Sequence, residues 1–200
     1  MNMATIPNLD FAKWSQGTES ERAEFVKELG AAYTDIGFIT IKNHGFGESV
    51  QDGLYKKAAA FFSLEKTVKS SYEIEGLAGQ RGYTSFGKEH AKGMEAADLK
   101  EFWQVGQPEP AYEGPEYHNN VSVEELPEFA PGFKHAYQEL ERIGRELLKA
   151  IAIYLDLDSN YFEPWVQGGN SILRAIHYPP ITQDPGDSVR AAQHEDINLI

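Results

Sequence analysis

His194-Glu195-Asp196-Ile197-Asn198-Leu199-Ile200 sets an imidazole and a carboxylate two positions apart at the head of an apolar run. Side chains at i and i+2 of a β-strand share a face. A strand here therefore projects His194 and Asp196 together and Glu195 away. These are two of the three donors in a facial 2-His-1-carboxylate site for Fe(II). The third donor is not evident in the 200 residues. A histidine two places from an aspartate also arises by chance, and such pairs commonly bond to their neighbours. What lifts this one is its setting, on a predicted strand that follows a loop.

Upstream, Ser171-Ile172-Leu173-Arg174-Ala175-Ile176-His177-Tyr178 reads as a strand stopped by Pro179-Pro180. Ile172, Arg174, Ile176 and Tyr178 share one parity, and His177 has the other. If Tyr178 points inward, His177 points away and is a poor candidate for the missing ligand. An inward phenol could bond a bound carboxylate, or it could be a core tyrosine with its hydroxyl satisfied.

Phe129 to Asp156 carries the strongest helical periodicity, with Phe133, Tyr137, Leu140, Ile143, Leu147, Ile151, Tyr154 and Leu155 in one stripe. A short helix around Tyr161–Trp165 follows. Near the start, Thr18-Glu19-Ser20-Glu21 reads as a capping box that opens a helix ending at Gly37. Phe38-Ile39-Thr40-Ile41 reads as a strand and Asn43-His44-Gly45 as a turn. A second helix carries Val50, Leu54, Ala58, Phe61 and Phe62. Ile74 to Gly93 is glycine-rich and irregular, positioned to lie over a site. Asp98 to Val105 contains a strand, and Pro108 to Pro115 forms a loop. Helices with one strand, then a long helix, then strands alone predict an α+β layout ending in an antiparallel β domain.

Composition narrows the function classes. The chain is 41% apolar and 12% aromatic, which is normal for a globular protein. Its net charge of −13 disfavours nucleic acid and anionic membranes as partners. With no cysteine, disulfides and thiolate metal sites are excluded. No stretch reaches the ~20 apolar residues of a membrane span, so a cytoplasmic protein is expected. The apolar final strand, still running at Ile200, leads to the expectation of a truncated chain.

Arg81-Gly82-Tyr83 offers a guanidinium that could clamp a substrate carboxylate, or a plain surface arginine. His44 suits a turn or cap. His90, His118 and His135 sit on polar segments. Lys100, Glu101, Phe102 and Trp103 read as structural.

Taken together, several segments resemble the isopenicillin N synthase-like family of Fe(II)/2-oxoglutarate-dependent oxygenases. They are Gly37-Phe38-Ile39-Thr40-Ile41-Lys42-Asn43-His44-Gly45, Arg81-Gly82-Tyr83, Asp98-Leu99-Lys100-Glu101-Phe102, Leu173-Arg174 through Tyr178-Pro179-Pro180, and His194-Glu195-Asp196. The resemblance spans about Ile6 to Ile200. It implies a double-stranded β-helix (jelly-roll) core behind a mixed helical N-terminal region. Residues 1–125 would form that region, and 126–200 the long helix and the first part of the jelly roll. It implies Fe(II) held by His194 and Asp196, and 2-oxoglutarate as cosubstrate with Tyr178 near its carboxylate. Arg81 would face a small-molecule substrate, and O2 would be the oxidant. Ile176 stands where some plant members carry asparagine. An oxidase of the same fold that uses no 2-oxoglutarate, or a non-catalytic fragment or binding module, are the alternatives. With two ligands only, residues 1–200 alone are expected to be inactive.

Overall fold

A computed structural model of the chain describes residues 5–77, 79–89, 98–109, 117–182 and 184–192. The elements run β1 (Asn8–Asp10), α1 (Phe11–Ser15), α2 (Glu19–Asp35), β2 (Thr40–Lys42), α3 (Glu48–Phe62), α4 (Lys66–Ser70), β3 (Gly82–Thr84), β4 (Glu101–Gly106), α5 (Phe129–Tyr154), α6 (Glu163–Val166) and β5 (Ile172–His177). The mixture of helix and sheet expected from the sequence is present. Among the described residues, no helix is long and apolar enough to cross a membrane.

The chain divides into two compact units; two divisions fall inside α3 and α5, and another follows α6, between Gln167 and Gly168. The first holds the described residues up to Gln51 together with Gln138–Gln167. Its α2 begins with the expected capping box. Thr18 accepts from the Glu21 amide, and the Glu21 carboxylate accepts from the Thr18 amide at 2.7 Å. The predicted strand at 38–41 is shorter and later. Phe38 is exposed, and β2 pairs in parallel with β1 over only three positions, Asn8↔Thr40 to Asp10↔Lys42. Asp10 caps α1 through the Ala12 amide at 3.0 Å and also accepts from Asn43 at 2.9 Å. Phe11, Phe25, Leu29, Ile143 and Leu148 are buried in this unit's core.

The second unit holds Asp52–Tyr137 and the described residues from Gly168 on. Its antiparallel sheet has the order β3-β4-β5. Strand β4 pairs with β5 over six positions, from Glu101↔His177 to Gly106↔Ile172. The sheet thus takes strands from both sides of residue 125, and the contacts part the chain elsewhere. Phe61, Phe129, Phe133 and Trp103 are almost fully buried against one sheet face. The Trp103 ring lies 4.7 Å from that of Phe61 and 5.0 Å from that of Phe129, centroid to centroid. Such edge-on packing stabilises beyond area burial alone. This aromatic layer covers one face; the second, here the open face, is exposed along β5 among the described residues, although Phe102 and Gln104 of β4 are buried.

Candidate functional site

Alternation along β5 sorts its side chains between those two faces. Leu173, Ala175 and His177 turn toward the aromatic core and are half-buried. Ile172, Arg174 and Ile176 turn to the other face and are exposed, and Tyr178, one residue past the strand with the same parity, is exposed too. On the open face the Arg174 guanidinium lies 4.2 Å from the centre of the Phe102 ring, a cation–π contact. Its Nε donates to Gln104, and Gln104 in turn donates to the Gly79 carbonyl. Arg174 Nη1 also pairs with Glu89 at 3.0 Å. Glu89 receives Lys100 as well, at 2.6 Å, and Lys100 reaches Asp98 at 2.8 Å. Burial works against the Lys100 charge, but its bonds to Asp98 and Glu89 win and raise its pKa. This chain of charges ties the last described residues of the glycine-rich segment to the open sheet face.

The core-facing side holds a second polar group that sequence reasoning assigned only a structural part. Glu101 is 5% exposed and lies opposite His177 in the ladder. Its Oε1 accepts from His177 Nδ1 at 2.7 Å and its Oε2 from Lys69 Nζ, also at 2.7 Å. The Tyr83 hydroxyl donates to Oε2 too. Lys69 directs its remaining donor to the Phe62 carbonyl at 3.0 Å. The His177 ring stacks on Phe62, with centroids 5.0 Å apart. Burial pushes the Glu101 carboxyl up, but the bonds from Lys69, Tyr83 and His177 outweigh it and leave the group below the ordinary range. Burial, helped by the Glu101 bond, pushes the Tyr83 phenol far up, so it stays protonated. The sequence did carry a signal for this cluster. Glu101 has the parity of Trp103 and Val105, and a carboxylate at a core position demands a cation.

Arg81 is used differently from either expectation. It is 1% exposed, so it is neither on the surface nor open to a ligand. Its Nε donates to the His118 carbonyl at 3.1 Å, Nη1 to the Gln80 carbonyl at 2.8 Å and Nη2 to Asn170 Oδ1 at 2.9 Å. Burial lowers its pKa, and arginine keeps its charge even so. The guanidinium fills the space above Gly106, where an added Cβ would collide with Arg81 Cζ. Gly106 is also held by Asn120, which donates to its carbonyl at 2.8 Å and accepts from its amide at 2.7 Å. Gly106→Ala is expected to displace the guanidinium and cost about 1–3 kcal/mol by overpacking. Urea denaturation against wild type measures it, and an unchanged midpoint would refute the packing role. Gly106 pairs with Ile172, whereas Tyr178 lies beyond His177. Six strand residues, roughly 20 Å, separate these two ends, so Arg81 and Tyr178 are not brought together.

His194 and Asp196 lie outside the described residues. Shortly before them, the Leu99 amide donates to the Val189 carbonyl at 2.8 Å. It brings the segment leading to His194 back alongside the start of β4. Among the described residues no group of three histidine, aspartate or glutamate side chains could hold a metal ion. His44 Nδ1 accepts from the Phe46 amide at 3.2 Å, which makes it a turn residue. His118 contributes its carbonyl to Arg81, His135 is exposed, and His90 lies outside the described residues.

Comparison with known proteins gives the site its context. The 2-oxoglutarate-dependent dioxygenase ecdK of Aspergillus rugulosus is 30% identical over 215 residues, which cover 98% of this chain and 64% of that protein. The proline hydroxylase buaE of Petromyces alliaceus is 28% identical, over 98% of this chain and 62% of its own length. A full-length Neurospora crassa protein, solved in complex with alpha-KG, superposes with a TM-score of 0.82 at 28% identity, over 96% of this chain and 61% of the other. The chain therefore spans about three fifths of the length of the relatives it matches. Residues 6–128 match the family profile described as the non-haem dioxygenase in morphine synthesis, N-terminal. On that match, with the same sheet and helices beneath it, the chain belongs to the non-haem dioxygenase family.

Proposed function

We propose that the protein to which this chain belongs is an Fe(II)- and 2-oxoglutarate-dependent oxygenase that oxidises a small organic molecule with O2. The open sheet face carries the reading: Tyr178, Ile176 and Arg174 project there together while His177 turns into the core. The family match, relatives named 2-oxoglutarate-dependent dioxygenases and the Neurospora crassa complex with alpha-KG support 2-oxoglutarate over an oxidase that needs none. In this reading the β3-β4-β5 sheet belongs to a jelly roll whose interior is the open face. His194 and Asp196 bind Fe(II), and a third donor completes the set. An imidazole and a carboxylate suit that ion, which when bound supplies open positions for the cosubstrate and O2.

The chain's own residues supply the walls. Tyr178 offers a phenol to a cosubstrate carboxylate. Phe102 and Ile176 keep the floor apolar, and the Arg174–Glu89 pair holds the glycine-rich segment beside it. Arg81 remains a proposed substrate-side residue only through the loop it braces, since its guanidinium is buried. The reaction balances as substrate C–H, O2 and 2-oxoglutarate giving substrate C–OH, succinate and CO2. The test is succinate release by the full-length protein, supplied with Fe(II), 2-oxoglutarate and O2, across a panel of small molecules. Substrate oxidation without succinate would refute the cosubstrate and favour the oxidase; binding of neither iron nor 2-oxoglutarate would refute the enzyme.

A further inference from the structure

We infer that His177 and Glu101 form a positioning pair that sets where Tyr178 leaves the sheet, and so governs cosubstrate affinity without touching the cosubstrate. The inference rests on the oxygenase reading above for the role of Tyr178, and on geometry for the rest.

His177 is the last residue of β5 and stands opposite Glu101, the first residue of β4. The next positions after Tyr178 are Pro179 and Pro180, which have no amide hydrogen. The backbone ladder therefore cannot continue past Tyr178 to hold it. The side-chain bond from His177 Nδ1 to Glu101 Oε1, at 2.7 Å, is the strand's terminal anchor. That anchor is itself fixed from every element packed on it. Lys69 of α4 binds both carboxylate oxygens, at 2.7 and 3.1 Å, Tyr83 of β3 donates to Oε2, and Phe62 of α3 stacks on the imidazole. The carboxylate is ionised, so Nδ1 carries the proton and the ring has one orientation. Because adjacent strand residues point to opposite faces, a fixed His177 leaves Tyr178 one direction, toward the open face. Half of the pair is buried and satisfied, so thermal motion of the strand end is damped where the phenol emerges.

The experiment uses the full-length protein with His177→Phe, which keeps the stack on Phe62 and removes the donor, and His177→Asn, whose amide nitrogen can occupy the Nδ1 position. Calorimetric Kd and KM for 2-oxoglutarate are expected to rise about tenfold in His177→Phe, as misplacement of a positioned group does, with kcat little changed. His177→Asn restores both. Combining His177→Phe with Tyr178→Phe gives a loss no greater than the worse single change, because the first acts through the second. Amide hydrogen exchange at Ile176, His177 and Tyr178 speeds up in His177→Phe and slows again in His177→Asn. Should His177→Phe not fold, His177→Gln, whose donor sits one atom too far out, takes its place with the same expected losses. Unchanged exchange, additive losses, or no recovery in His177→Asn would overturn the positioning pair. Faster exchange in a protein whose wild type binds no 2-oxoglutarate would uphold the anchor and overturn the oxygenase reading instead.

Discussion

His194→Ala combined with Asp196→Ala is expected to abolish Fe(II) retention by the full-length protein and, with it, succinate release. In the proposed site, removing the imidazole and the carboxylate would leave the ion one donor of the triad, and a metal site draws its affinity from the number of deprotonated ligands that converge. Loss of a mere outer-shell partner costs roughly 10–100-fold in metal affinity, so loss of two direct ligands should exceed that. Metal analysis after gel filtration, together with anaerobic Fe(II) titration, measures it. The thermal midpoint should stay near that of the wild type, since the aromatic layer that holds β4 and β5 together is built from Phe61, Trp103, Phe129 and Phe133. Iron content and turnover equal to wild type would remove His194 and Asp196 from the site.

Glu101→Gln should destabilise the protein by about 3–5 kcal/mol, the usual result of stripping one partner from a buried pair. The change leaves the Lys69 ammonium in the interior facing the Phe62 carbonyl, the Tyr83 ring and a neutral amide, with no carboxylate paired to it among the described residues. For a domain of this size each kcal/mol moves the midpoint by about 2–4 °C, so a drop on the order of 10 °C is expected in calorimetry. Adding Lys69→Met should recover much of it, because an apolar side chain needs no partner. The pH dependence follows from the direction of the Glu101 shift. Its folded pKa lies below the ordinary value, so the folded state binds the proton less readily than the unfolded one. The pair's contribution is then fully present above the unfolded carboxylate's pKa of about 4.3. It is lost as pH falls through the lower folded value. Wild-type stability should drop over that window more steeply than that of Glu101→Gln; parallel acid profiles would refute it.

Much of this fold is legible in the chain because its long elements carry periodicity. The α5 stripe, the α2 capping box and the alternation of β5 each need only local rules. The three-residue strands β1 and β3 and the five-residue helices α1 and α4 do not show, since so few positions define no period. Their existence depends on partners far away in sequence, as with Asn8 beside Thr40. The open-face set of Arg174, Ile176 and Tyr178 was readable from parity alone. Arg81 was not, because nothing in Arg81-Gly82-Tyr83 tells that Gly106, Asn170 and the His118 carbonyl will surround the guanidinium. The Lys69–Glu101 bond spans 32 positions for the same reason, and only the parity of Glu101 with Trp103 hints at it.

The two imino acids that follow Tyr178 have one more effect, on misfolding. If β5 slid by a single place along β4, the imidazole would swing to the solvent side and the phenol into the aromatic layer. A slide by two would preserve the faces but set Pro179 opposite Glu101, where it has no hydrogen to offer the ladder and no donor for the carboxylate. A slide by two the other way would set Ala175 there and leave Oε1 bare of imidazole. The strand therefore has a single low-energy alignment, and this pairing is guarded against register traps during folding.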